Sequence, residues 1–280
     1  MQSPQIAFLP DGRRLHLHHG PIDLITDAKG PGRTNALRAA ASRFESVLDE
    51  LVRELPLLRA PTDARPNGAI AHRMHGATAP FLPAFITPMA AVAGAVADAV
   101  LEAMTAAGDL SRAYVNNGGD IALHLAAGES FTAVVAGGVP GRVTLPSSGP
   151  VRGIATSGRH GRSHSLGIAD SVTVLAQTAA QADAAATLIA NAVDLPGNPK
   201  ITRRSAHDLS PDSDLGDRLV TTGVAPLTAS EIDRALTRGH AFAETCRTRG
   251  LIHAALLTLS GQTRTLGTAD LIAFKEPIDA

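Results

Sequence analysis

Gly153-Ile-Ala-Thr-Ser-Gly158-Arg-His-Gly-Arg-Ser-His-Ser-Leu-Gly167, then Asp170-Ser-Val-Thr-Val-Leu-Ala176, then Thr178-Ala-Ala-Gln-Ala-Asp-Ala-Ala-Ala-Thr187: this stretch orders the rest of the chain. Its first part packs glycines, hydroxyls, two arginines and two histidines into fifteen positions and reads as a loop. The second is rich in β-branched residues and reads as a strand. The third reads as a helix, because Thr178 followed three residues later by Gln181 has the spacing of a capping box. On that helix Asp183 and Thr187 stand four residues apart, hence side by side on one face. A glycine-rich loop lets backbone N–H groups come close to an anion, and Arg159 and Arg162 can add charge-assisted hydrogen bonds to phosphate. A carboxylate and a hydroxyl on a nearby helix are hard oxygen ligands suited to Mg²⁺ held in part by a substrate phosphate. The same residues also fit a surface loop with glycine turns beside an ordinary polar helix, and spacing alone does not choose between the two.

Outward from this stretch, composition narrows the class. With 280 residues, 44% of them hydrophobic and 18% charged, the chain reads as a single globular domain over 1–280, with irregular excursions at about 56–83 and 194–217. A net charge of −1, no tryptophan and 3% aromatics leave neither a basic face nor a stacking platform for nucleic acid. Cys246 is the only cysteine, so no disulfide within the chain and no cysteine-based zinc site can form, which suits a reducing cytosol. The first residues lack the charged start and apolar run of a signal peptide. The apolar stretch from Phe85 to Val100, interrupted by Asp98, reads as a buried helix too short to span a membrane. A soluble cytoplasmic protein is the expectation.

Upstream, Ile6–Phe8, Leu15–His18 and Ile22–Thr26 read as strands, with His16 and His18 sharing the polar face of the second. Leu37, Ala41, Phe44, Val47, Leu48, Leu51 and Leu55 recur at helical spacing, predicting a helix over 34–55 that Pro56 ends. Residues 59–83 read as an irregular loop carrying His72, Arg73, Met74 and His75 that could line a pocket. Thr87 and Pro88 read as N-cap and first position of an alanine-rich helix in which Gly94 permits close backbone packing. Asn117-Gly118 between strand-like segments is a hairpin signal, which leaves Asn116 and Asp120 as polar groups placed at strand ends near a ligand. Strands are expected over 132–136 and 142–145, and a helix over 178–193. A second capping box at Thr228 and Glu231 opens a helix stopped by Gly250, and a hairpin turns at Ser260-Gly261. Hairpins imply antiparallel pairing and an α+β fold rather than a doubly wound parallel sheet. No dinucleotide fingerprint, Walker loop or nucleophile elbow is present.

Several stretches together resemble the ApbE-like superfamily, known for FAD:protein FMN transferases, and in particular a smaller branch of it. They are Pro88-Met-Ala-Ala-Val-Ala-Gly94, Val115-Asn-Asn-Gly-Gly-Asp-Ile121, Ala155-Thr-Ser-Gly158, Ser163-His-Ser-Leu-Gly-Ile-Ala-Asp-Ser-Val-Thr-Val174 and Ala182-Asp-Ala-Ala-Ala-Thr187, in the family's order. The resemblance implies antiparallel sheets flanked by helices, related to T-fold proteins that bind purines and pterins. It implies Mg²⁺ ligands at Asp183 and Thr187, and a flavin nucleotide (FAD or FMN) site lined by Asn116, Asn117, Gly118, Gly119 and Asp120, with Thr156, Ser157 and Gly158 in the same pocket. Arg159 and Arg162 would then neutralise phosphate, and His160 or His164 would relay a proton. Two departures stand out. The lysine that precedes the helix glycine in the transferases is Ala93 here, and their His-x-x-Asp-Pro segment gives way to the compact run Ser163–Asp170.

The resemblance supports three readings. The first is a Mg²⁺-dependent, transferase-like enzyme acting on a phosphate-bearing ligand of the flavin nucleotide class. The second is a protein of pterin (tetrahydromethanopterin-type C1 carrier) biosynthesis, since this branch's relatives occur in organisms with methanopterin-dependent one-carbon metabolism. The third, motivated by Ala93, is a non-catalytic ligand-binding scaffold. In each the partner is a small molecule, with no nucleic acid or membrane, and T-fold kinship favours a homodimer.

Overall fold

A computed structural model describes residues 3–61, 65–135, 141–267 and 272–274. The chain divides into two compact units, one made of residues up to 131 with 145–155 and 176–184, the other of 132–144, 156–175 and the residues from 185 on.

In the first unit, β1 (Gln5–Phe8), β2 (Leu15–His19), β3 (Ile22–Lys29), β4 (Arg112–Asn117) and β5 (Asp120–Leu125) pair in sequence, every pairing antiparallel. The start of β8 (Gly153–Ser157) then joins β5, with Ile121 opposite Ile154. Alternation decides which face is buried: Leu15, Leu17 and Leu24 point inward, while His16 and His18 point outward and share the two oxygens of Asp23, at 3.1 and 3.4 Å. The inner face packs on α1 (Arg33–Arg53) and α4 (Val92–Ala106), through Ala36, Ala40, Phe44 and Val47 of the first and Val96, Val100 and Met104 of the second. Each of the buried Val, Phe and Met side chains among these contributes about 1.5–3 kcal/mol.

The second unit holds the end of β8, then β9 (Ser171–Ala176), β12 (Ala254–Leu259) and β13 (Gln262–Leu266), antiparallel where β9, β12 and β13 meet and covered by α7 (Ala229–Thr248). β6 (Ser130–Val135), β7 (Gly141–Pro146) and β14 (Ile272–Phe274) form a three-stranded sheet. The architecture is α+β with antiparallel sheets flanked by helices, as expected.

Several local expectations are corrected. Residues 153–157 are strand β8, so the glycine loop begins only after Ser157; Ile154 and Ala155 are buried there, which a loop would not achieve. The helix predicted over 34–55 ends at Arg53, and Pro56 sits in the first turn of a separate short helix, α2 (Leu55–Leu58), where its missing N–H costs nothing. Within the segment expected to be irregular lies α3 (Ala69–Thr78), which buries Ile70, Met74 and Ala77 at helical spacing. The region 194–217 likewise carries β10 (Ile201–Ser205) and α6 (Ala206–Leu209), and β10 pairs with β11 (Leu219–Val224). Thr87 makes no side-chain cap hydrogen bond: Pro88–Ala91 is a 3-10 turn leading into α4. Pro88–Ala106 spans 19 residues at a mean hydropathy of 1.5, long and apolar enough to cross a membrane, so length does not exclude a span as expected. Its buried residues pack in the core of the first unit. The strand expected over 132–136 is seen to Val135; Ala136 lies outside the described residues.

Candidate functional site

The first unit brings α4, the β4–β5 hairpin and the start of α5 (Ala179–Ala192) together. Two glycines make this possible. A methyl group at Gly94 would stand 2.2 Å from the Ala179 carbonyl oxygen, and one at Gly153 would stand 2.1 Å from the carbonyl of Thr178. No side chain fits in either place, so α5 enters directly against the backbones of α4 and β8. Thr178 caps it in part, its Oγ1 accepting the Gln181 N–H at 3.2 Å.

Asp183 therefore faces the first turn of α4. Its Oδ2 accepts the Gly94 N–H at 3.0 Å. The side chain keeps some access to solvent although protein surrounds it closely. That environment pushes its carboxyl well above the usual carboxylate range; the negative charge of Asp120 adds to the effect, and the amides of Gly94 and Ala93 oppose it. Asp98, on α4, has its carboxyl raised by burial, against the pull of the Ala180 and Ala179 amides that it accepts at 3.0 and 3.1 Å.

The hairpin turns through Gly118 and Gly119, both at positive φ (64° and 116°), with Asn117 opposite Asp120. Here the two asparagines exchange the roles their sequence suggests. Asn116 serves the turn, its Oδ1 accepting the Gly119 N–H at 2.8 Å, whereas Asn117 reaches away to donate to the Ala93 carbonyl at 3.1 Å. Ala93 and Gly94 thus tie the hairpin to Asp183.

In the second unit, Thr156 Oγ1 lies 2.9 Å from Thr173 Oγ1. A methyl at Gly158 would meet the Asp170 carbonyl at 2.5 Å, so this glycine serves close packing. The Arg159 guanidinium is spent on Asp170, at 2.7 and 2.9 Å, with His160 Nε2 3.3 Å from the same oxygen; it does not stand free for a phosphate. The amides of Arg159, Gly161, Leu166, Gly167, Ile168 and Asp170 are all bonded to protein acceptors, which turns the expected open cradle into a stapled loop. Arg162 and His164 are exposed. Thr187 is half-buried, one turn beyond Asp183 on α5.

Among the described residues no group of three or more His, Cys, Asp or Glu side chains converges to hold a metal. An open depression of about 610 Å³ beside α7 is lined by Leu195, Pro196, Asp233, Arg234, Thr237 and Arg238, none of them an expected site residue. Sequence reading missed Asp98 and Asp170 as organising groups. The signal for Asp98 was present as a lone charge inside an alanine-valine run.

Comparison with known proteins places the chain. It is 34% identical over 177 residues to a UPF0280 protein of Methanocella arvoryzae, covering 62% of this chain and 66% of that one. It is 41% identical over 112 residues to a UPF0280 protein of Methanothrix thermoacetophila, covering 39% and 46%. The matched stretch spans about half the length of such curated relatives. The backbone is similar to that of Flavin Transferase ApbE from Vibrio cholerae at a TM-score of 0.42 and 13% identity, over 96% of this chain and 98% of that one, and no site residue is matched from it. A model of the AbpE bacteria family matches residues 6–265. With nearly its whole length accounted for, and with the motifs of the ApbE-like superfamily in order, the chain belongs to the AbpE bacteria family.

Proposed function

We propose that this protein binds a phosphate-bearing ligand of the flavin nucleotide class together with Mg²⁺, and acts in the cytoplasm as a transferase-like enzyme. The observation that carries the reading is the Asp183 carboxylate. It is oriented by the Gly94 amide through Oδ2 and lies in the field of a second acid, Asp120. A divalent cation relieves that repulsion, and a carboxylate with a hydroxyl one turn away offers the hard oxygens Mg²⁺ prefers. Mg²⁺ takes few protein ligands and leaves the rest to water and substrate phosphates.

When bound, Mg²⁺ would neutralise charge on phosphoryl oxygens and polarise them. The chain's own residues would do the rest. Asp183 and Thr187 hold the cation. The 116–120 turn, with no side chains at Gly118 and Gly119, would border the ligand closely, with Asn116 and Asp120 offering polar atoms to it and Asn117 holding the turn to α4. Within the second unit the candidates are Thr156, Ser157 and Gly158 at the end of β8, Arg162 as a positive charge for phosphate, Arg159 fixing its loop through Asp170, and His160 or His164 to move a proton. Positioning with electrostatic stabilisation would give most of the rate.

Ala93, in place of the transferases' lysine, favours a second reading in which the ligand is held without being cleaved. Native mass spectrometry of the purified protein with and without Mg²⁺, followed by FAD titration, separates these readings and reports whether the chain is a homodimer. The expected result is Mg²⁺-dependent retention of a flavin nucleotide that is converted on incubation. FAD recovered unchanged supports the scaffold, a co-purifying pterin moves the ligand to that class, and no uptake of either removes the proposal.

A further inference from the structure

Helices α4 and α5 cap one another, and the exchange is symmetrical in kind. First-turn N–H groups have no partner inside their own helix and are usually met by a side chain just before it. For α4 the preceding residue is Ala91, which offers none. The Gly94 amide is met instead by Asp183, deep in α5, at 3.0 Å. In return, the Ala179 and Ala180 amides that open α5 are met by both oxygens of Asp98, deep in α4, at 3.1 and 3.0 Å. The two acids even share a local sequence, Ala97-Asp98-Ala99 and Ala182-Asp183-Ala184. Gly94 allows the approach, since any side chain there would strike Ala179.

We propose that Asp98 is the positioning residue of this site: by capping α5 it fixes the angle at which Asp183 presents its carboxylate. The functional part of this inference rests on the cation reading given above; the reciprocal cap rests on geometry alone. The reasoning is mechanical. Asp98 bonds two adjacent amides at the helix entry, and Asp183 lies one turn further on. Without Asp98 the entry of α5 keeps Thr178, its packing on Gly94 and Gly153 and its buried alanines, but two adjacent first-turn amides lose their acceptor. The loosened helix then loses its second bond to α4, the one from Gly94 to Asp183. Asp98 is 8% exposed and its oxygens face these amides, so it touches neither ligand nor cation.

The test is amide hydrogen exchange at Ala93, Gly94, Ala179 and Ala180, with Mg²⁺ titration alongside, for Asp98→Ala, Asp98→Asn and the exposed neighbour Glu102→Gln. In Asp98→Ala exchange should accelerate at Ala179 and Ala180 and, at a distance, at Gly94, while Mg²⁺ affinity falls by about tenfold or more, as for other residues that orient a ligand. Asp98→Asn keeps one acceptor oxygen and should show a smaller change of the same pattern. It also carries the measurement if Asp98→Ala does not fold. Glu102→Gln should change nothing. Acceleration confined to Ala179 and Ala180, with Gly94 exchange and Mg²⁺ affinity as in the wild type, would mean a local cap only and overturn the proposal. Should the wild type take up no Mg²⁺, the cation reading falls, and the response at Gly94 decides the reciprocal cap by itself.

Discussion

At the scale of single residues, the site depends on side chains that glycine does not have. Gly94 lacks one because the Ala179 carbonyl oxygen occupies the space. Gly94→Ala should therefore cost about 2 kcal/mol or more by overpacking, read as a lower urea midpoint at unchanged slope. A loss below about 0.5 kcal/mol would show that α5 moves aside freely. Close approach at Gly94 was legible in the alanine-rich sequence, but its partner was not, because Ala179 lies far along the chain. The same holds for Asp98, whose bonds to Ala179 and Ala180 span 81 and 82 residues. Periodicity identifies a charge on an apolar helix; only the tertiary fold says which amides it meets. Arg159 teaches the converse. Its sequence context suggested a phosphate ligand, whereas Asp170, eleven residues on, takes the guanidinium. Cys246, whose sequence context fits a core or a surface position equally, is buried, and burial pushes its thiol up to about 11. Its reaction with a disulfide reagent should be slower by orders of magnitude in native protein than in urea, and comparable rates would contradict its burial.

At the scale of elements, capping and turn chemistry carried the prediction furthest. Both halves of the Thr228–Glu231 box form, and α7 begins where the box places it. Lys200, the Thr228 amide and Asn198 hold the Glu231 carboxyl down to about 2, from an ordinary 4.5. Because the folded-state value is depressed, its stabilisation is complete above 4.5 and fades as pH falls toward about 2. The melting temperature of Glu231→Gln should lie below that of the wild type at neutral pH and converge with it near the acid end; a constant gap would contradict this. The Ser260-Gly261 turn was also legible, and Ser260 adopts a φ of 48° there. Ser260→Gly should raise stability by up to about 1 kcal/mol by relieving that conformation, less whatever the added freedom of the unfolded chain takes back; a clear loss would contradict it. The errors were of another kind. Strand β8 was hidden because Gly153 and Gly158 flank only four residues, and its pairing with β5 skips the strands between. Helix α3 was hidden by prolines on either side, although Ile70, Met74 and Ala77 carry its spacing.

At the scale of the whole molecule, the antiparallel pairing of successive strands belongs to a chain built of hairpins, and the α+β class was legible for that reason. The order of non-adjacent strands was not, since it depends on contacts that no local pattern encodes. Family membership is carried by nearly the full length of the chain, whereas its ligand is a proposal from named residues. The central claim is that a carboxylate locked between two helices is a cation site. Mg²⁺ calorimetry in the presence of FAD, on wild type and on Asp183→Asn, tests it most directly, because the amide keeps the acceptor for Gly94 while removing the charge. The expected result is Mg²⁺ binding to the wild type and a loss of at least about 100-fold in the variant, since residues that merely orient a metal ligand already cost about 10–100-fold, with the melting temperature little changed. Equal Mg²⁺ affinity in the two proteins, or none in either, would contradict it.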